Sequence, residues 1–165
     1  MESRTKKLAF MGLMLAVALT ASHLESLLPV FTAVPGIKLG LANGVAMFVL
    51  YRNGIRPAVL LSVLRIILSA FLFQGMFAML YSLAGAVFSL STIILCKKTG
   101  WLSVVGVSVA GGVMHNAGQI LVAALVLENV NLLYYFSVLV VSGVIAGTAV
   151  GALTGALLLK MPVLD

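Results

Sequence analysis

The 165-residue chain is almost without acid: it has four Asp and Glu residues in all, and its one aspartate is Asp165. Mg²⁺-diphosphate chemistry of the prenyl-synthase kind needs clustered carboxylates, which this chain cannot supply. A G-x-x-x-x-G-K-[ST] phosphate loop is missing as well, so any ATP-driven work falls to partner subunits. Cys96 is the single cysteine, which excludes an intrachain disulfide framework and reads as structural filler. Charged residues make up only 8 % of the chain, against roughly a quarter in soluble domains. With 62 % hydrophobic residues and a mean hydropathy of +1.23, there is no room for a soluble domain, and residues 1–165 read as one transmembrane domain. The net charge of +6 does not mark a nucleic-acid binder, because the basic residues are scattered between apolar runs and form no patch.

What is present is apolar sequence in six runs, at 8–28, 39–51, 57–73, 76–96, 104–127 and 132–159. The second is short: 13 residues cover about 20 Å as a helix, against about 30 Å of hydrocarbon. It is either a short helix shielded by its neighbours or part of a re-entrant segment. The charges test the count of six. With a cytoplasmic N-terminus, Arg4, Lys6, Lys7, Arg52, Arg56, Lys97, Lys98 and Lys160 all fall inside, as the positive-inside rule requires. Lys38 and Arg65 are the exceptions, and the loop around Glu128 and Asn129 is outside and free of basic residues. The first run has basic residues before it, like a signal peptide, but five further runs follow and it reads as an uncleaved helix. The expectation is an all-α integral membrane protein: a compact six-transmembrane-helix bundle with both termini cytoplasmic, multi-pass in a prokaryotic plasma membrane.

Two patterns stand out within the runs. Gly143, Gly147, Gly151 and Gly155 recur every four residues and make a smooth helix face for close packing, with Gly12 and Ala16 a lesser version in the first run. The second pattern is polar. His115 and Gln119 share a helix face in the fifth run with Asn116 one step round, and lipid cannot satisfy such a face. Arg65 sits midway through the third run, where a charge costs about 3 kcal/mol by insertion scales. His23, Glu25, Lys38, Asn43, Gln74, Tyr81 and Ser82 fall towards the same outer half. Glu25 has two candidate partners, Lys38 and Arg65, and Lys38 could equally snorkel to the headgroups. Asn43 and Ser82 could be helix-to-helix hydrogen-bond partners. If the polar groups meet, they make a cavity with Lys38 and Arg65 set against one acid, Glu25, which favours a ligand carrying a carboxylate or phosphate. The residues expected to bind it are Arg65, His115, Asn116, Gln119, Lys38, Glu25, Asn43 and Ser82. His23, His115 and Glu25 have no spacing that marks a metal site, and no cofactor and no catalytic residue is expected.

Four ordered motifs carry a resemblance over nearly the whole chain: Glu25-Ser26-Leu27-Leu28-Pro29, Pro35-Gly36-Ile37-Lys38-Leu39-Gly40-Leu41-Ala42-Asn43, Tyr81-Ser82-Leu83-Ala84-Gly85 and His115-Asn116-Ala117-Gly118-Gln119. They resemble the Gx transporter family, also labelled heptaprenyl diphosphate synthase component I. The resemblance implies a bundle similar to the substrate-binding S components of energy-coupling factor (ECF) transporters, in which a separate transmembrane coupling subunit and two ATPases supply the energy. It also implies docking of the coupling subunit on small residues of the first helix, where this sequence has Gly12 and Ala16 in place of an Ala-x-x-x-Ala pair. The expected function is a non-enzymatic subunit that captures a small, anionic, vitamin- or cofactor-like compound from outside, under a cover formed by residues 29–38. The alternative is an accessory membrane subunit in heptaprenyl diphosphate or quinone synthesis, not catalytic alone.

Overall fold

A computed structural model of the chain describes residues 2–27 and 40–161. Six helices make up most of them: α1 (Glu2–Leu27), α2 (Leu41–Asn53), α3 (Ile55–Ser69), α4 (Met76–Thr99), α5 (Val104–Val126) and α6 (Phe136–Lys160). A π-helical turn, Ala70–Gln74, prolongs α3, and a short 3₁₀ helix, Val130–Tyr135, leads into α6. No strand occurs among the described residues. Five helical stretches are long and apolar enough to cross a membrane: Arg4–Leu27, Ile55–Gln74, Met76–Thr99, Val104–Val126 and Val130–Lys160. α2, with 13 residues, is the short one.

The apolar runs and the helices agree within a few residues at most ends and differ where hydrocarbon and helix end at different places. α1 begins at Glu2, ahead of the apolar run, because Arg4, Lys6 and Lys7 leave the hydrocarbon without leaving the helix. The chain passes from α2 to α3 on Gly54 alone and into α4 on Gly75 alone. Both glycines have positive φ, 92° and 84°, a conformation that residues with a Cβ rarely adopt.

The closest packing is between α5 and α6. A Cβ placed on Gly143, Gly147 or Gly151 would lie 3.0, 2.7 or 2.8 Å from the Cα of Val113, Val109 or Val105 respectively. As the glycines advance by four, their partners step back by four, so the two antiparallel helices meet backbone to backbone. Gly155 closes the stripe in ordinary contact with Val104, at 4.0 Å. α4 approaches the other side of α5 as closely: a Cβ on Gly118 would lie 2.7 Å from the carbonyl oxygen of Ala84. In lipid, where no hydrophobic drive holds helices together, such small-residue contacts supply the packing.

α2 is held differently. At its N-terminus the carboxylate of Glu25, from α1, accepts a hydrogen bond from the Leu41 N–H at 2.7 Å. At its C-terminal end the Lys97 ammonium, from α4, donates to the Leu50 carbonyl at 2.9 Å and lies 4.5 Å from the Tyr51 ring centre. An acid at the positive end of the helix dipole and a base at the negative end satisfy groups that the helix leaves open. Lys97→Met removes one of these caps and should cost about 1 kcal/mol. In a detergent melting experiment that lowers Tm by about 2–4 °C, whereas the exposed Lys98→Met should leave it unchanged.

The bundle is apolar outside and polar within. Leu8, Phe71, Phe77, Val87 and Leu125 are among many large apolar side chains that stand exposed, while Glu25, Arg65, His115, Asn116 and Gln119 are buried. That inversion belongs to a surface solvated by lipid. The chain is a multi-pass membrane protein.

Candidate functional site

Most of the buried polar side chains converge on one cavity of about 50 Å³ to which all six helices contribute. Its walls come from the C-terminal part of α1, the first half of α2, the last third of α3 with the π-helical turn after it, the middle of α4, the first two thirds of α5 and the middle of α6. Each helix places its polar group by the 3.6-residue period: Ser82 and Ser89 are two turns apart on α4, and Ser108, Gly112, His115 and Gln119 run down one face of α5.

Arg65 is central and 8 % exposed. Its Nη1 donates to Ser22 Oγ at 3.3 Å and its Nη2 donates to Asn43 Oδ1 at 3.0 Å, which ties α3 to α1 and α2. Its Nε has no hydrogen-bond partner among the described residues. Glu25 also lines the cavity; its carboxylate caps α2 and attracts Arg65. Lys38 and the expected cover, residues 29–38, lie outside the described residues.

On α5 the three clustered side chains do three different things. Asn116 donates its amide to the Leu139 carbonyl at 2.8 Å and so fastens α5 to α6 as well as lining the cavity. His115 lies flat against Gly85 of α4, where a Cβ would come within 2.7 to 2.9 Å of three ring atoms. Gln119 keeps a buried Oε1 with no hydrogen-bond partner among the described residues. An unfilled donor on Arg65 and an unfilled acceptor on Gln119 therefore belong to one small chamber. Ser82 completes the α4 wall.

Other residues singled out in the sequence lie elsewhere. Gly12 and Ala16 are on an exposed face of α1, with nothing within 4 Å of a Cβ added at Gly12. The glycines of α6 serve packing within the chain, and Gly143 and Gly147 also reach the cavity wall. His23 is exposed, its ring 4.9 Å from that of Phe73.

Sequence reasoning passed over Ser22, Ser89, Ser108 and Gly85 as site residues. The signal was available: Ser22 is one turn before Glu25, Ser89 is two turns after Ser82, and Ser108 is two turns before His115. Serine is too common in membrane helices to stand out without that face alignment.

Two features limit what the chamber can do. Its volume admits a few water-sized groups, since one water needs roughly 10–15 Å³, and compound-sized pockets run to several hundred Å³. Among the described residues no group of three His, Cys, Asp or Glu is placed to hold a metal ion. The family described as heptaprenyl diphosphate synthase component I matches the chain over residues 14–157. No curated protein matches the chain, and no solved structure does.

Proposed function

The chain belongs to the heptaprenyl diphosphate synthase component I family, and from that premise we propose that it is a membrane component that binds a small, anion-bearing compound in the central cavity. The observation that carries this reading is the Arg65 guanidinium, buried among polar side chains, whose Nε has no partner among the described residues, with Gln119 Oε1 likewise unmatched among them in the same cavity. A carboxylate or phosphate oxygen satisfies the first, and a hydroxyl or N–H on the same compound satisfies the second.

Entry of a compound larger than the chamber requires a wall to move. α4, α5 and α6 meet at backbone distance and resist separation. α1, α2 and α3 pack through apolar side chains such as Met14, Ala18, Met47, Leu50 and Leu61, with hydrogen bonds from Glu25 and Arg65 across them, and Lys97 ties α2 to α4. Side-chain packing of this kind can shift where backbone-to-backbone contact cannot, so entry on the α1–α3 side is part of this reading.

In the first assembly consistent with this reading, the chain is an S-component-like subunit of an ECF-type importer in a prokaryotic plasma membrane. Its termini lie in the cytoplasm, it captures its ligand from outside, and a coupling subunit docks at Gly12 and Ala16 with two ATPases behind it. The second is an accessory membrane subunit in heptaprenyl diphosphate or quinone synthesis, and the family's description favours it. In neither is the chain catalytic alone, because its four acids are too few and too dispersed for diphosphate condensation.

Native mass spectrometry of the gently purified protein tests the shared core: the expected result is a retained small molecule with an anionic group, and a bare protein under all mild conditions overturns it. Affinity purification from native membranes separates the assemblies, since the importer brings down ATPase subunits and the accessory subunit brings down a soluble prenyl synthase.

A further inference from the structure

A second concavity lies on the outer surface of the bundle, where the N-terminal parts of α1 and α3 run side by side. α1 contributes residues 4, 7, 8, 11, 12 and 15, and α3 contributes 56, 57, 60, 61 and 64, which is one continuous helical stripe from each. The groove has a volume of about 530 Å³. Its floor is Leu8, Met11, Leu15, Leu60 and Leu64. Leu8 is 73 % exposed and Leu60 57 %, so the floor is open to whatever surrounds the bundle.

The polar residues lie at one end only. Arg4, Lys7 and Arg56, all exposed, line the end where α1 and α3 begin, and no acid is among the groove's lining residues. Arg4 opens the first membrane-crossing stretch and Arg56 is the second residue of the next, so this rim stands at headgroup level. From Arg4 to Leu15 the helix rises about 16 Å, half of the roughly 30 Å hydrocarbon layer. The groove is therefore one leaflet deep, with cations at the headgroups and hydrocarbon below.

We propose that this groove is a binding site for an anionic glycerophospholipid, its phosphate held among Arg4, Lys7 and Arg56 and one acyl chain laid along Leu8, Met11, Leu15, Leu60 and Leu64. Charge and length together select this occupant. A spanning helix of a partner would need a groove twice as long, and a zwitterionic lipid would leave the three cations without a net counter-charge. The bare Gly12 lets the chain lie close to the α1 backbone, since nothing is within 4 Å of a Cβ added there.

The test uses the full chain, delipidated in a neutral detergent and titrated with phosphatidylglycerol or phosphatidylcholine, with bound lipid counted by native mass spectrometry. Wild type should prefer phosphatidylglycerol by about tenfold or more. Arg4→Gln/Lys7→Gln/Arg56→Gln should remove the preference, while Arg52→Gln/Lys98→Gln, outside the groove, should keep it. Gly12→Trp should fill the groove and reduce retention of both lipids at an unchanged melting temperature. Arg65→Met should leave lipid retention as in wild type, so failure of the central-cavity reading and failure of this one are separable. A preference that survives the triple substitution, or is lost equally with Arg52→Gln/Lys98→Gln, overturns the site in favour of diffuse attraction. Capture of a protein on the groove that persists after lipid is restored overturns it in favour of a partner, which in the importer assembly is the coupling subunit on the same Gly12 face.

Discussion

Arg65→Met is expected to abolish retention of the small molecule while leaving a folded protein in the membrane. The side chain lies within the bundle, and its Nη atoms hold Ser22 and Asn43. A charge-assisted hydrogen bond from Nε to a ligand contributes about 1.5–3 kcal/mol, so losing it corresponds to roughly ten- to a hundredfold in Kd. Stability should respond far less. Methionine fills much of the same volume and removes a buried charge whose desolvation opposes folding, so the orphaned hydroxyl and amide are offset in part. The contrast between binding and melting is the discriminating quantity. A purely structural Arg65, stapling α1, α2 and α3, predicts the reverse: a large drop in Tm and, in whatever stays folded, an unchanged complement of bound molecule. Arg65→Lys separates charge from shape, because a lysine keeps the charge but not the planar fork that reaches two partners and a ligand at once.

Much of the fold was legible because a bilayer imposes few solutions. Apolar runs long enough to span must be helices, and the six runs correspond to six helices, five of them long and apolar enough to cross a membrane. The shortness of the second run was legible too, but not what compensates for it. Glu25 is 16 residues from Leu41 and Lys97 is 47 from Leu50, and nothing local in the chain relates them. The polar cluster on α5 was visible as an energetic anomaly, yet its division of labour was not. Asn116 spends its amide on the Leu139 carbonyl, a backbone group with no signature in sequence. His115 needs Gly85 opposite it, and a glycine among sixteen carries no label saying which neighbour requires it. Arg65 could be paired on paper with Glu25, because opposite charges are what a sequence advertises. The helix N-terminus at Leu41 also claims the carboxylate, and neutral Ser22 and Asn43 accept from the guanidinium. Helix ends compete for acids as strongly as cations do, and that competition is decided only in three dimensions.

Gly147→Leu should be the most damaging single substitution on the lipid-embedded part of α6. The added side chain has no space, since its first carbon already falls 2.7 Å from Val109 Cα and 3.0 Å from the Ser108 carbonyl oxygen, both backbone. Backbone cannot turn aside as a side-chain tip can, so α5 and α6 must separate and lose contacts along the whole stripe. The cost is about 3 kcal/mol or more, and for a membrane protein of ordinary stability the result is low yield and a melting transition lowered by roughly 10 °C. Gly12→Leu, on the open face of α1, should melt as wild type, and Gly155→Leu, at 4.0 Å from Val104, should fall between. The milder Gly147→Ala connects packing to the site. α5 carries His115 and Gln119, so an α5 displaced by a few tenths of an ångström moves two cavity walls relative to Arg65 on α3. Retention of the small molecule should therefore drop more steeply in Gly147→Ala than its Tm does, as measured by native mass spectrometry and melting on the same preparation. If Gly147→Leu instead melts as wild type but shifts oligomeric state in light scattering, the stripe joins copies of the chain and the α5–α6 crossing is not what holds the cavity in shape.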